Sequence, residues 1–366
     1  MSLKEMTHFL NPGNCAGKIG KLFVSGMNYN GTFANGSTQD LKLLGNTPNT
    51  YHLQGFDGFG GHRDRALECL AYNTEFMDAV ANIKEKIIFI PFGAGGSTGS
   101  GCSTVLAELL LEQKDEYGRP EKIVCPIVVL PSSNEAVAKH RNAYQAVQEL
   151  QELEGLGKTF FISNDSSSDY GYINNTFARM LDAFLTNDSY GEINNFDESE
   201  KMEMLRNNGA TNGSIVISQV GSDKESSVIL DKLTKNGIFA PIEDDKVCEN
   251  IAIIHSGKDN SDITASEVIA EVGKPDNVFE GYNGRSTLVV ASGLSYPVSY
   301  VRKLGELAQK VSEERQRSRS MSSLRLEDLN LTEPEPLITH KTEIRQPKKP
   351  SKLAAIRDKQ AKMQQR

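Results

Sequence analysis

Between residues 85 and 163, short apolar runs alternate with helical patterns: Ile87-Ile88-Phe89-Ile90, a helix from Cys102 to Gln113, Ile127-Val128-Val129-Leu130, a helix around Glu135 to Leu153, and Thr159-Phe160-Phe161-Ile162. That alternation specifies an α/β fold, a parallel sheet covered by helices on both faces. Such sheets bind ligands outside the carboxyl ends of their strands, so the loops that follow the apolar runs are the ones to inspect.

The loop after the first run is Phe92-Gly93-Ala94-Gly95-Gly96-Ser97-Thr98-Gly99-Ser100-Gly101. Strand, glycine loop and helix together suit a polyphosphate. Glycines let the backbone approach phosphate oxygens, and a helix start offers unpaired N–H groups with a favourable dipole. Ser97, Thr98 and Ser100 add hydroxyl donors. The loop has no lysine of the GxxxxGK[ST] kind and no GxGxxG in register, so neither a P-loop nor a dinucleotide fingerprint fits.

Beyond residue 170 the pattern changes. A helix from about Asn174 to Asn187 carries Phe177, Met180, Leu181 and Phe184 at three- and four-residue spacing, the stripe of a helix packed inward. The runs Ile215-Val216-Ile217, Ile251-Ala252-Ile253-Ile254 and Leu288-Val289-Val290 then imply a second, smaller α/β unit, followed by a helix from about Val298 to Arg317. From about residue 320 the Ser/Arg-rich and Pro/Lys-rich sequence predicts disorder.

The glycine loop resembles the tubulin/FtsZ signature GGGTG[ST]G, matched by Gly95-Gly96-Ser97-Thr98-Gly99-Ser100-Gly101 with Ser97 in place of the third glycine. Further matches follow in family order. Ala34-Asn35-Gly36-Ser37-Thr38-Gln39-Asp40-Leu41 is similar to the second-strand loop, implicating Asn35 and Gln39 near the phosphates, with Gln39 near magnesium, directly or through water. Gly55-Phe56-Asp57-Gly58-Phe59-Gly60-Gly61, followed by Arg63-Asp64-Arg65, resembles the loop that senses the terminal phosphate and implicates Gly58 and Gly60. Glu135 and Lys139 stand where the family has a ribose-contacting Glu and a basic residue. The resemblance implies that Asn164 and Asn175 contact the guanine, although each also reads as a turn or cap residue.

The first glycine loop departs from the family's polyglycine run, since this chain has Asn11-Pro12-Gly13-Asn14-Cys15-Ala16; by resemblance Gly13, Asn14 and Cys15 would contact the phosphates there. Asn195-Phe196-Asp197-Glu198-Ser199-Glu200 is similar to the NxDxxD loop that one subunit presents to its neighbour's GTP. The resemblance makes Asn195, Asp197 and Glu200 catalytic; the same Asp197-x-x-Glu200 also reads as a capping box.

The resemblance covers about residues 6 to 300. It implies a GTP-binding domain over 1–172, a central helix and interface loop over 173–208, a C-terminal α/β activation domain over 209–297, a C-terminal helix over 298–319 and a basic disordered tail over 320–366. It further implies GTP/GDP and Mg2+ as cofactors, head-to-tail filaments of the chain with itself, and GTP hydrolysis that depends on polymerisation. Within the family, the sequence looks most like the plasmid and phage segregation tubulins (TubZ). The alternatives are a division-type or phage-centring tubulin, and a GTP-binding DNA-associated protein that does not polymerise.

Charge bears on the partner. Of the formal charge of −8, residues 339–366 contribute nine Lys/Arg against two acidic residues, about +7, which leaves about −15 on the rest. Such a split marks a solvated arm or one that seeks an anionic partner. Lys348-Lys349-Pro350-Ser351-Lys352 precedes Leu353, Ile356 and Met363, a basic segment with a narrow apolar face if helical. By resemblance it would grip a DNA-bound adaptor (TubR) carrying centromere DNA. No run of about 18 apolar residues and no signal-peptide pattern occurs, so a cytoplasmic location is expected. The five scattered cysteines, Cys15, Cys69, Cys102, Cys125 and Cys248, form no CxxC pair and are expected as small buried residues rather than a disulfide or zinc framework.

Overall fold

A computed structural model describes residues 2–186, 196–207, 212–220, 225–256, 263–320 and 352–364. The expected alternation is present. Six parallel strands, β1 (Thr7–Pro12), β2 (Asn30–Asn35), β3 (Thr50–His52), β4 (Ile87–Gly93), β5 (Ile123–Leu130) and β6 (Phe160–Ser163), form one sheet in the order β3-β2-β1-β4-β5-β6. Between them run α1 (Asn14–Met27), α2 (Thr38–Leu44), α3 (Arg65–Tyr72), α4 (Thr74–Ala81), α5 (Thr98–Leu111) and α6 (Val137–Glu152).

The two faces of the sheet follow the period of two that a strand imposes. On β4, Ile87 and Phe89 point into one apolar cluster, whereas Ile88, Ile90 and Phe92 point into the other, with residues of α3 to α6. The first cluster also takes α1 and the central helix α7 (Tyr170–Thr186), which starts a turn earlier than its apolar stripe predicts. The stripe is buried as expected. Phe177 is the keystone: its ring meets Phe23, Phe160 and Phe239 edge-on, with centroids 6.3, 5.6 and 6.1 Å away.

The same cluster continues into a second sheet. Here β7 (Ser214–Val220), β8 (Asn250–Ser256), β9 (Asn277–Gly284) and β10 (Thr287–Leu294) lie in the order β7-β10-β8-β9, accompanied by α8 (Glu198–Leu205), α9 (Ser226–Thr234) and α10 (Ala265–Val272). Strand β10 runs antiparallel to β7 and β8, and β8 runs parallel to β9. The two sheets are tied by a parallel bridge between Thr159 and Ser214 and by the fully buried Lys158, whose ammonium meets Glu249 at 2.6 Å and Asn207 at 2.8 Å.

Helix α11 (Val298–Ser320) packs on α6. Within the segment expected to lack packed structure, a helix α12 (Lys352–Gln364) forms and rests on α3 and α5. Its Leu353 and Ile356 are buried in the second apolar cluster, so these two residues of the proposed partner-binding face are covered by the chain itself. Residues 321–351 lie outside the described residues. Among the described residues, no helix is long and apolar enough to cross a membrane.

Candidate nucleotide site

A cavity of about 410 Å³ opens at the carboxyl ends of β1, β2, β4, β5 and β6, where a parallel sheet offers its ligand site. It contains eleven of the residues singled out in the sequence: Asn14, Cys15, Asn35, Gly95, Gly96, Ser97, Thr98, Gly99, Glu135, Lys139 and Asn164.

Its phosphate side is made by two helix starts. Helix α1 begins at Asn14 and α5 at Thr98, four residues earlier than the apolar pattern predicts, so Thr98, Gly99 and Ser100 form a first helical turn rather than a loop. The first N–H groups of both helices lack intrahelical acceptors, and both dipoles favour an anion there. Glycine permits the convergence. Gly13 sits at φ +87, and a Cβ on it would stand 3.1 Å from the Gly99 nitrogen, while one on Gly99 would stand 3.0 Å from the Pro12 carbonyl oxygen.

The opposite wall is polar and fixed. Lys139 meets Glu135 at 2.5 Å, and Glu135 also accepts the Ser132 N–H at 2.9 Å and the Asn164 amide at 3.3 Å. Burial works against the charge on Glu135, but the hydrogen bonds from Lys139, Ser132 and Asn164 outweigh it and hold its carboxyl below the usual range. Between the walls lie Cys15, whose thiol is pushed up to about 11 by burial, and Tyr170 and Asn174 from the start of α7.

Residues 30–170 match the Tubulin/FtsZ family, GTPase domain. The chain is 28% identical over 305 residues to the tubulin-like protein TubZ of Clostridium botulinum C phage, covering 80% of each chain. The crystal structure of Clostridium botulinum phage c-st TubZ superposes with a TM-score of 0.71 at 24% identity, covering 85% of this chain and 99% of that one. A GTPγS-form protofilament of TubZ from Bacillus thuringiensis serovar israelensis has the same fold, with a TM-score of 0.69 at 14% identity over 86% and 93% of the two chains. This chain has the tubulin/FtsZ fold, and its residues 30–170 match that family's GTPase domain.

Several residues implicated by that family's motifs stand elsewhere than on the cavity. Gln39 is exposed on α2; its neighbour Asp40 lines the cavity instead, accepting the Asn14 amide at 3.3 Å and the Asn35 amide at 3.1 Å. Asn175 donates back to the Gly171 carbonyl at 2.8 Å, and Asn174 takes the cavity-facing place, since consecutive helical residues point about 100° apart. Ser100 is fully buried, its hydroxyl donating to the Gly96 carbonyl. Gly58 and Gly60 hold positive φ in a loop that does not line the cavity.

That loop is anchored by Arg63, which sequence reasoning placed only in passing. Its guanidinium donates to the Ser100 carbonyl at 2.8 Å and, with both terminal nitrogens, to Glu149 at 2.5 and 2.7 Å. Glu149 also accepts the Thr104 hydroxyl at 3.0 Å. No sequence motif marks Glu149, because its partner lies 86 residues away in the chain.

Asp197 and Glu200 also lie away from the cavity, and Asn195 lies outside the described residues. They begin α8, whose Glu198 accepts the Leu3 N–H at 3.3 Å and whose Leu205 carbonyl accepts the Lys158 N–H at 2.8 Å. Leu3 precedes β1 and Lys158 precedes β6, so α8 occupies the amino-end edge of the tubulin-like sheet, while the cavity occupies the carboxyl-end edge.

Proposed function

We propose that the chain is a filament-forming GTPase in which GTP binds the cavity and is hydrolysed when α8 of the next subunit closes over it. The observation that carries this reading is the placement of glycine-lined helix starts on one edge of the sheet and paired carboxylates on the other. The central strands β1, β4 and β5 are six to eight residues long and rise about 3.3 Å per residue, so roughly 20 Å of sheet separates the two edges, and one subunit cannot bring both to the same phosphate. Head-to-tail stacking does so at every junction.

In this site the first turns of α1 and α5 hold the phosphates, Thr98 donates its hydroxyl, and Lys139 and Glu135 fix the ribose side. Asn164, Asn174 and Tyr170 frame the base. Asp197 and Glu200 of the neighbour orient and deprotonate the attacking water. Magnesium fits one position: the Asp40 carboxylate is the acidic oxygen donor on the phosphate side, while no cluster of three ligating side chains occurs among the described residues. That donor set suits a cation held by one carboxylate together with phosphate oxygens, where it would offset phosphate charge.

The cargo reading is that of a cytoplasmic segregation filament whose basic C-terminal tail grips a DNA-bound adaptor. Its support is the charge split and the 28% identity to phage TubZ. The test of the catalytic assignment is Asp197→Ala: GTP binding and filament growth persist, and phosphate release falls at least 100-fold. Undiminished release by the mutant polymer rejects the role.

A further inference from the structure

We propose that α12 is an intramolecular latch, docked on α3 and α5 and coupled through Glu149 to the phosphate-binding turn, so that bound nucleotide and docked tail stabilise each other. The inference rests on the cavity being the GTP site.

The docking face is written into four residues. Lys352, Leu353, Ile356 and Arg357 recur at three- and four-residue spacing, which places two apolar side chains beside two cations on one side of a helix. Leu353 and Ile356 are 2% and 1% exposed, in the same apolar cluster as Ala66, Leu70, Leu106 and Leu110. The host supplies the matching charge. The Leu353 N–H, in the first turn of α12, donates to Glu108 at 3.3 Å, and Arg357 grips Glu112 with two bonds of 2.6 and 2.9 Å. Glu108 and Glu112 stand one turn apart along α5, so the acidic ridge has the same rise as the basic face of the tail.

The coupling runs through one carboxylate. The Lys352 ammonium pairs with Glu149, the group that holds Arg63 in two places. Arg63 in turn holds the Ser100 carbonyl, in the same helical turn as Thr98 and Gly99, which line the cavity. Only Glu149, Arg63 and Ser100 stand between the tail and the phosphate-binding residues. Coupling of two sites through such a chain is reciprocal, so nucleotide strengthens docking by the factor by which docking strengthens nucleotide binding. A partner that reads Leu353 and Ile356 must therefore capture the undocked tail, and in doing so loosens the nucleotide.

The test uses the full chain, with hydrogen exchange of the α12 amides measured with and without GDP and the release rate of a fluorescent GDP measured in parallel. The expected result is protection of α12 that increases with GDP. The double variant Leu353→Asp/Ile356→Asp loses that protection, keeps protection in α7, and releases GDP about fivefold faster or more, at the low end of typical coupling. Should the double variant unfold, a charge exchange serves instead: Arg357→Glu loosens α12, and adding Glu112→Arg restores it. Rapid exchange of the wild-type α12 amides overturns the latch, as does an unchanged GDP release rate in a variant whose tail is undocked. A chain that binds no GDP refutes the nucleotide-site reading and with it the coupling, while α12 protection without nucleotide still decides the docking.

Discussion

Asp197 and Glu200 cap α8 reciprocally: Asp197 accepts the Ser199 N–H at 2.7 Å, and Glu200 accepts the Asp197 N–H at 3.0 Å. The hydrogen bond with Glu200 lowers the Asp197 carboxyl from its ordinary value, whereas burial and then Asp197 raise that of Glu200. Asp197 is thus the more readily ionised of the two, held by the cap at the amino-end edge of the sheet.

The cap and the charge are separable by substitution. Asn retains a capping oxygen, so Asp197→Asn leaves stability nearly unchanged, whereas Asp197→Ala loses about 1 kcal/mol. Both stop phosphate release if the charge performs the chemistry. Urea midpoints and phosphate release on the same two variants check this; full turnover by Asp197→Asn assigns the residue to capping alone.

The convergence of α1 and α5 rests on Gly13. A side chain there meets both the φ of +87 and the approach to Gly99, so Gly13→Ala costs about 1–2 kcal/mol of strain and opens the anion site. The expected outcome is at least tenfold weaker GTP binding by fluorescence titration; unchanged affinity contradicts the two-helix cradle.

Glu149 makes stability pH-dependent. Burial opposes its ionisation, but hydrogen bonds and charge from Arg63, then Lys352, prevail and lower its carboxyl below the ordinary value. A depressed folded value contributes stability above the unfolded carboxyl's pKa of about 4.3, and that contribution is lost as pH falls through the folded value. Glu149→Gln therefore lowers the urea midpoint at pH 7, and the gap to wild type closes as pH falls below the ordinary carboxyl value of about 4.3. A gap of constant size across that range contradicts the charged pairing.

Phe177 joins the central helix to α1, to β6 and to the segment between α9 and β8. Phe177→Ala removes a fully buried ring with three aromatic neighbours and is expected to cost about 3–5 kcal/mol in denaturant unfolding. A loss below 1 kcal/mol shows that the helix is not packed there as described.

What the sequence revealed depended on contiguity. The glycine turn, the apolar runs of β4 to β6 and the stripe of α7 each lie within a few residues of one another, so their chemistry can be read in place. Asp40 and Asn174 were missed by one residue, because helix phase at a terminus decides which neighbour faces the cavity. Strand β9, Asn277 to Gly284, carries glycine and polar residues in place of an apolar run and was not legible as a strand. Glu149 and the dock of α12 depend on partners 86 and 245 residues distant, a relation no local pattern encodes.

A site completed by a second subunit makes turnover depend on assembly, and phosphate release from GTP with magnesium across a wide range of protein concentration measures that dependence. The account predicts a threshold below which turnover vanishes and above which it rises with polymer. A rate strictly proportional to protein at every concentration places the whole site within one subunit and contradicts it.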